Sequence, residues 1–344
     1  MFKAHLVPAA LSLATIGMVS TAQVKVTRDQ AQNKVDVTID GAPFTSYLWS
    51  TGQKKPVLFP LITSNGVTVT RGFPLAPREK ERVDHPHHAG MWFNYGNVNG
   101  FDFWNNSDAI PEAQRLKMGT IHQERIVSTM SGKDRGELTV QSVWTSGAGQ
   151  DILRQNTRYI FSRQGTNRIV DQVVTLTALG RAVFNDDKEG LLGIRVAHFL
   201  ESPTEKGGMF MDASGRPTKV DAPDTTGASG VYRTSEGIQG DAVWSTRGTW
   251  CALTGSTEGK TVTVAILDHT GNPGYPTYWH ARGYGLFAAN ALGDHIFDAK
   301  AKPHNFTLEK GSSATFRYRV ILFDHAATPA EMNKAKDVFE REYK

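Results

Sequence analysis

Three histidines fall within four positions of the stretch Asp84-His85-Pro86-His87-His88, and Trp92, Phe93, Tyr95, Phe101, Phe103 and Trp104 follow closely. Imidazole has an ordinary pKa near ~6.5, so it can both give and take a proton near neutrality. His87 and His88 are therefore candidate acid/base groups, with His85 as a substrate contact. A second dense patch, Tyr278 to Gly285, holds Trp279, His280 and Arg282, and a third runs from Asp187 through Glu189 to Arg195 and His198. Glu189, His198 and His280 complete the candidate catalytic set. The expectation is that the fold brings these three distant segments to one concave, aromatic-walled site.

The substrate class follows from the neighbours. A tryptophan face stacks on pyranose C–H groups, while Asp, Asn and Arg bond the hydroxyls. Arg71, His85, Trp92, Asn94, Asp102, Trp104, Arg195, Asp268, Trp279 and Arg282 are the candidate binding residues for a small carbohydrate or glycoside. His280 and Arg282 are two apart, so on one strand they share a face, whereas Arg195 and His198, three apart, fall on opposite faces. The blander reading makes the histidines loop residues bonded to backbone or solvent, and the tryptophans core. A His-x-His pair also suits a metal, and two histidines with a carboxylate, drawn from His85, His87, Glu189, His198 and His280, would hold iron or zinc. No cofactor is required; a divalent metal on His85, His87 and His280 is the alternative. A sugar-binding protein without turnover is the other.

The 344 residues suit a large β-sandwich of roughly 250–300 residues better than one small domain. Apolar content of 39%, charge of 21% and a net charge of +4 describe a globule with a sizeable core. Its basic residues are scattered, which argues against a nucleic-acid partner. Residues 1–22 read as an export signal: Lys3 is the positive start, Leu6 to Val19 the apolar run, and Ser20-Thr21-Ala22 the small-residue cleavage site. That run contains Pro8 and falls short of the ~20 residues a spanning helix needs. A mature chain from residue 23 onward, periplasmic or secreted and without a membrane span, is expected. Cys251, the only cysteine, can form no intrachain disulfide and reads as a small buried residue.

The elements that must position these groups are strands. Alternating runs flank short turns at Lys25–Thr27 and Val35–Ile39, Thr120–Met130 and Glu137–Thr145, and Asp151–Arg163 and Arg168–Leu179. Phe44–Trp49, Val57–Ile62, Val67–Phe73, Leu191–Leu200, Trp244–Leu253, Val262–Leu267, Thr277–Ala289, Phe306–Leu308 and Ala314–Phe323 are further predicted strands. Pro86 makes the histidine segment a loop over a sheet edge, because proline cannot donate to the ladder. A single helix, 328–343, closes the chain, with Thr328 as N-cap, Pro329 at the first position and Glu331 completing a capping box. Hairpin after hairpin, without a strand–helix rhythm, predicts an all-β, large antiparallel β-sandwich in one domain over residues 23–344.

Several motifs carry a resemblance. Val69-Thr70-Arg71-Gly72-Phe73-Pro74, Asp84-His85-Pro86-His87-His88, Val98-Asn99-Gly100-Phe101-Asp102-Phe103-Trp104, Lys188-Glu189-Gly190, and Asp268-His269 with Gly285-Leu286-Phe287-Ala288-Ala289-Asn290 resemble the PmoA-like family of uncharacterised bacterial proteins. Members often carry the label "methane oxygenase PmoA". Methane oxidation is set aside, because that membrane subunit spans a bilayer and this chain has no such segment. The resemblance implies a carbohydrate-related role and a supersandwich like that of sugar mutarotases, where histidine and a carboxylate move protons at the anomeric centre. A carbohydrate lyase, hydrolase or epimerase is the expected activity.

Overall fold

A computed structural model describes Met1 and residues 23–49, 52–204, 206–221 and 227–344. Of the expected export signal, residues 1–22, all but Met1 lie outside that set.

Two eight-stranded antiparallel sheets face one another. The first runs, in spatial order, Val24–Asp29, Lys34–Ile39, Ala42–Leu48, Val57–Leu58, Met91–Tyr95, Gly190–Arg195, Leu286–Asn290 and Tyr278–Arg282. The second runs Val231–Thr234, Trp250–Thr257, Lys260–Asp268, Ser313–Phe323, Asn167–Ala178, Asp151–Gln164, Arg135–Ser146 and Gly119–Met130. Along Arg135–Ser146, every second residue is buried, as the alternating pattern predicts for a strand with one wet face. The helix Pro329–Glu342 starts at a capping box in which Thr328 Oγ1 accepts from the Glu331 amide. Its Met332, Ala335 and Phe339 pack on Trp250, Leu267 and Ile321, covering the outer face of the second sheet. The large antiparallel sandwich with a C-terminal helix is thus the fold.

The strands that hold the site differ from the rest. Met91–Tyr95, Gly190–Arg195 and Leu286–Asn290 are buried on both faces. Met91, Phe93, Tyr95, Leu192, Ile194, Phe287 and Ala289 point into the main core between the sheets. The alternate residues Trp92, Leu286 and Ala288 join a separate cluster with Val57, Phe59, Ala89 and Trp104 on the other face. That second layer exists because the chain from 84 to 90 folds back over the sheet. Gly90 permits the return: its φ is +60°, and a Cβ there would meet the Leu58 carbonyl oxygen at 2.3 Å.

Five expected strands are altered: Val57–Ile62 shortens to Val57–Leu58, Trp244–Leu253 begins only at Trp250, and three more change as follows. Val67–Phe73 makes only isolated bridges, Thr68 to Ile62 and Thr70 to Val196; the Arg71 amide donates to the Arg195 carbonyl while its side chain bonds the histidine loop. The run expected to reach Leu200 ends at Arg195 and is followed by a single 3-10 turn, His198–Leu200. Thr277–Ala289 is a hairpin, Tyr278–Arg282 and Leu286–Asn290, turning at Gly285 with φ +91°. Among the described residues no helix is long and apolar enough to cross a membrane.

Candidate functional site

Strand register sets the outer face of the first sheet. His280 pairs with Ala288, Ala288 with Gly193 and Gly193 with Trp92, so these four lie in one cross-strand row. The next row is Arg282, Leu286 and Arg195. Alanine and glycine in the middle of the first row leave room above the sheet. A Cβ on Gly193 would meet the Trp92 indole at 2.6 Å and the Trp104 indole at 3.0 Å. The indoles lie on the strand where a side chain would otherwise stand.

Asp84 is the anchor of the loop above. Its Oδ1 accepts from Arg71 Nη1 and Arg195 Nη2, 2.6 Å each, and both guanidinium groups are buried. Arg71 also donates to the carbonyls of Arg82, His85 and His88. Burial pushes the Asp84 carboxyl up, but the hydrogen bond from His85 and the charges of Arg195 and Arg71 outweigh it and hold the group well below the usual carboxylate range. Arg71 is itself pulled down to about 9 by burial and by Arg195.

The three loop histidines divide sharply. His88 is buried, with Nε2 facing the Trp104 indole N–H at 3.0 Å and Nδ1 facing Arg195 Nη1 at 3.2 Å. A neutral imidazole has one acceptor nitrogen, and here both nitrogens face donors, so His88 has no lone pair left for a ligand. Burial first, then the charges of His87 and Arg195, push its pKa well below the ordinary value. His87 is also buried, its Nε2 has no partner among the described residues, and burial with the Lys55 charge pulls it to about 2. The Lys55 ammonium donates to the His87 carbonyl and lies over Trp92, and burial brings it down to about 7. His87 and His88, expected as acid/base groups, are both buried under the folded-back loop.

His85 is the open one. Its side chain is 41% exposed, and its Nδ1 lies 3.2 Å from Asp84 Oδ2. A carboxylate only accepts, so the proton sits on Nδ1 and Nε2 is left free. The ring is clamped in a stack: parallel to Tyr284 at 5.4 Å on one side and to His88 at 4.9 Å on the other, with Trp92 beyond His88. The backbone takes φ +45° to place it there, an uncommon conformation for a histidine.

Beside this stack opens a cavity of about 450 Å³, lined by Arg82, Asp84, Ser202, Asp241, Trp244, Arg282 and Tyr284 among others. That volume suits a small molecule. Arg195 lies over the Tyr284 ring at 4.9 Å, and Arg282 sits between Trp244 and Tyr284, 5.6 and 5.7 Å from their centroids. Burial raises the Tyr284 phenol pKa, and the charges of Arg195, Arg282, Glu189 and Asp84 all reach it.

Of the other expected residues, Glu189 and His280 do come together. Glu189 Oε2 is 3.7 Å from His280 Nδ1, which donates to the Lys188 carbonyl at 3.1 Å. Lys188 Nζ bonds Glu189 Oε1 at 2.6 Å. Burial, then the Lys188 charge, brings His280 to about 3, so it is neutral. Asp187 accepts from the Glu189 amide, and burial raises it to about 6.

Residues 34–337 match the family of unknown function DUF6807. The chain belongs to that family. The match carries no link to the PmoA-like name. No curated protein matches the DUF6807 sequence. Among solved structures, the fold is similar to the GH36 alpha-galactosidase AgaB from Geobacillus stearothermophilus, at 13% identity and a TM-score of 0.37, covering 88% of this chain and 41% of that one. It is also similar to a galactose mutarotase-like protein from Clostridium acetobutylicum, at 11% identity and a TM-score of 0.40, covering 88% and 98%. The chain spans about two fifths of the length of the alpha-galactosidases it matches.

The remaining candidates lie elsewhere in the DUF6807 chain. Trp279 faces the main core beside Phe287, because its parity is opposite to that of His280. Asp268 is buried at the end of a second-sheet strand and accepts from the amides of His269 and Thr277 and from Asn272 Nδ2. Burial raises it to about 7, and its role is to tie the 268–277 turn. Asn94 donates to the Phe103 carbonyl, and Asp102 caps the Trp104 and Asn105 amides. Trp92 and Trp104 are sealed under the loop. His198 lies 3.3 Å from Glu201, which accepts from Arg82 at 3.1 Å. Among the described residues no three His, Cys, Asp or Glu side chains gather as a metal site would require, and His280 stands with Glu189 rather than with His85 and His87. Sequence reasoning missed Tyr284, Trp244, Asp241 and Arg82, and saw Asp84 only as part of a motif. The Asp-His dipeptide was the one usable signal.

Proposed function

We propose that this protein is a carbohydrate-active enzyme that moves a proton on a small sugar or glycoside bound beside Tyr284, with His85 as the acid/base group. The observation that carries the reading is the Asp84–His85 pair. Its carboxylate is fixed by two buried arginines, and its imidazole is clamped between rings, oriented by Nδ1 and open at Nε2. A carboxylate that fixes a histidine's tautomer and orientation is the arrangement general acid/base catalysis uses. The cavity wall supports a polyhydroxylated ligand: Ser202, Asp241, Arg82 and the Tyr284 hydroxyl supply donors and acceptors, and Trp244 and Tyr284 supply aromatic surface. A second carboxylate–imidazole pair, Glu189 and the buried His280, lies 3.7 Å apart. A lyase, hydrolase or epimerase each needs a group that gives or takes a proton. The PmoA-like resemblance and an exported, periplasmic or secreted setting belong to the same proposal.

The test is a panel of monosaccharides, disaccharides and glycosides incubated with the protein and followed by NMR for products. Turnover of at least one sugar, reduced at least 10²-fold in His85→Gln with the fold retained, is expected. Undiminished turnover in His85→Gln removes His85 from the mechanism; binding without turnover by the wild type leaves a sugar-binding protein.

A further inference from the structure

We propose that the ligand is an anionic sugar, a uronate or related sugar acid, whose carboxylate is taken by Arg282. The inference rests on the sugar-site reading above and deepens it.

Two arginines, Arg82 and Arg282, line the cavity, two more are bound to its Asp84, and three of the four are committed. Arg71 and Arg195 share the Asp84 carboxylate, and Arg82 is paired with Glu201. Arg282 differs: among the described residues, no carboxylate or carbonyl accepts from its guanidinium, whose neighbours are the faces of Trp244 and Tyr284. A guanidinium held between two rings is oriented and partly desolvated, yet its N–H edge remains unused. Its planar fork of donors matches the two oxygens of a carboxylate.

Charge around the cavity agrees. Arg82, Lys206 and Arg282 line it against Asp84 and Asp241, and behind Asp84 stand the two buried cations Arg71 and Arg195. One Asp84 carboxylate offsets one of those two cations, so a surplus of positive charge faces the ligand. Asp84 and Asp241 on the same walls set the limit: a phosphate dianion would bring a second negative charge toward them, while a carboxylate brings one. The hydroxyls of such a sugar then fall to Ser202, Asp241 and the Tyr284 hydroxyl, with His85 stacked on the Tyr284 ring.

The test is calorimetric titration of the whole mature chain with matched pairs, glucuronate against glucose and galacturonate against galactose, plus glucose 6-phosphate. At least one uronate should bind about tenfold or more tightly than its neutral partner, the effect expected of a charged hydrogen-bonded pair. Arg282→Gln should bring that ratio close to one, and Arg282→Lys, which keeps the charge without the fork, should restore part of it. Equal binding of hexose and uronate, tighter binding of glucose 6-phosphate than of either uronate, or a ratio unmoved by substitution overturns the assignment and leaves the sugar site standing. Should Arg282→Gln not fold, the wild-type pairs decide the preference and Arg282→Lys the residue. Absence of binding by every sugar overturns the underlying site reading as well.

Discussion

His85 Nδ1 lies 3.2 Å from one oxygen of Asp84, while the other oxygen takes Arg71 and Arg195. This arrangement fixes the only one of the three loop imidazoles that is open to solvent. It also makes Asp84 do two jobs, balancing buried charge and orienting His85. Asp84→Asn separates them. Removing the carboxylate charge leaves two buried guanidinium groups without their counterion, which costs roughly 3–5 kcal/mol when a buried pair is broken. Urea unfolding should show a loss of that order for Asp84→Asn, whereas His85→Gln, at an exposed position, should stay within about 1 kcal/mol of the wild type. Equal losses would mean that the loop is held by His85 rather than by the arginines.

Acid should weaken the fold early. The folded pKa values of His87, His88 and His280 are depressed by burial, to about 2 and about 3 for His87 and His280. In the unfolded chain they titrate near ~6.5. The unfolded state therefore binds more protons below that value, so their contribution is complete above ~6.5 and is lost as pH falls toward their folded values. Asp268 and Asp187, raised to about 7 and about 6, work the other way: their contributions are complete below ~4 and are lost as pH rises through those values. The histidine shifts are larger and more numerous. The thermal midpoint should decline from about pH 6.5 downward, with a shallower slope in His280→Gln. A midpoint flat between pH 7 and pH 4 would show that these imidazoles are not buried neutral.

Gly193→Ala tests the layer beneath the loop. The added Cβ would meet the Trp92 indole at 2.6 Å and the Trp104 indole at 3.0 Å. Both rings are sealed and have little room to move, so overpacking should cost about 1–3 kcal/mol. It should also shift the near-ultraviolet circular dichroism of the tryptophans. An unchanged spectrum with wild-type stability would contradict the row assignment of Gly193 against Trp92.

Trp104→Phe removes the indole donor facing His88 Nε2. A buried acceptor left without its partner costs on the order of 1–3 kcal/mol. The loss should appear in urea unfolding. Any fall in turnover beyond it would place Trp104 closer to the ligand than its burial allows.

Much of this fold was legible because antiparallel hairpins write their period and turns into the chain, as Arg135–Ser146 and Asp151–Gln164 do. Parity likewise placed His280 and Arg282 on one face and, had it been followed through, would have sent Trp279 to the core. Loops carry no period. Beyond its place next to Asp84, nothing local distinguishes His85 from His87 and His88; the difference arises when residues 84–90 fold onto the sheet and two rings go under. Tyr284 was hidden because the hairpin turn at Gly285 read as continuous strand. Trp244 and Asp241 reach the cavity from a connection whose path only the tertiary structure sets. His198 was misplaced for a similar reason, since the sheet strand ends at Arg195 and the chain turns away.

The decisive point is which histidine the loop presents. Brief carbethoxylation with diethyl pyrocarbonate, mapped by tandem mass spectrometry, reads this directly. His85 should be modified quickly and be protected by a bound sugar, while His87 and His88 remain unmodified until the protein unfolds. Modification of His87 or His88 as fast as His85 in the folded protein would contradict it.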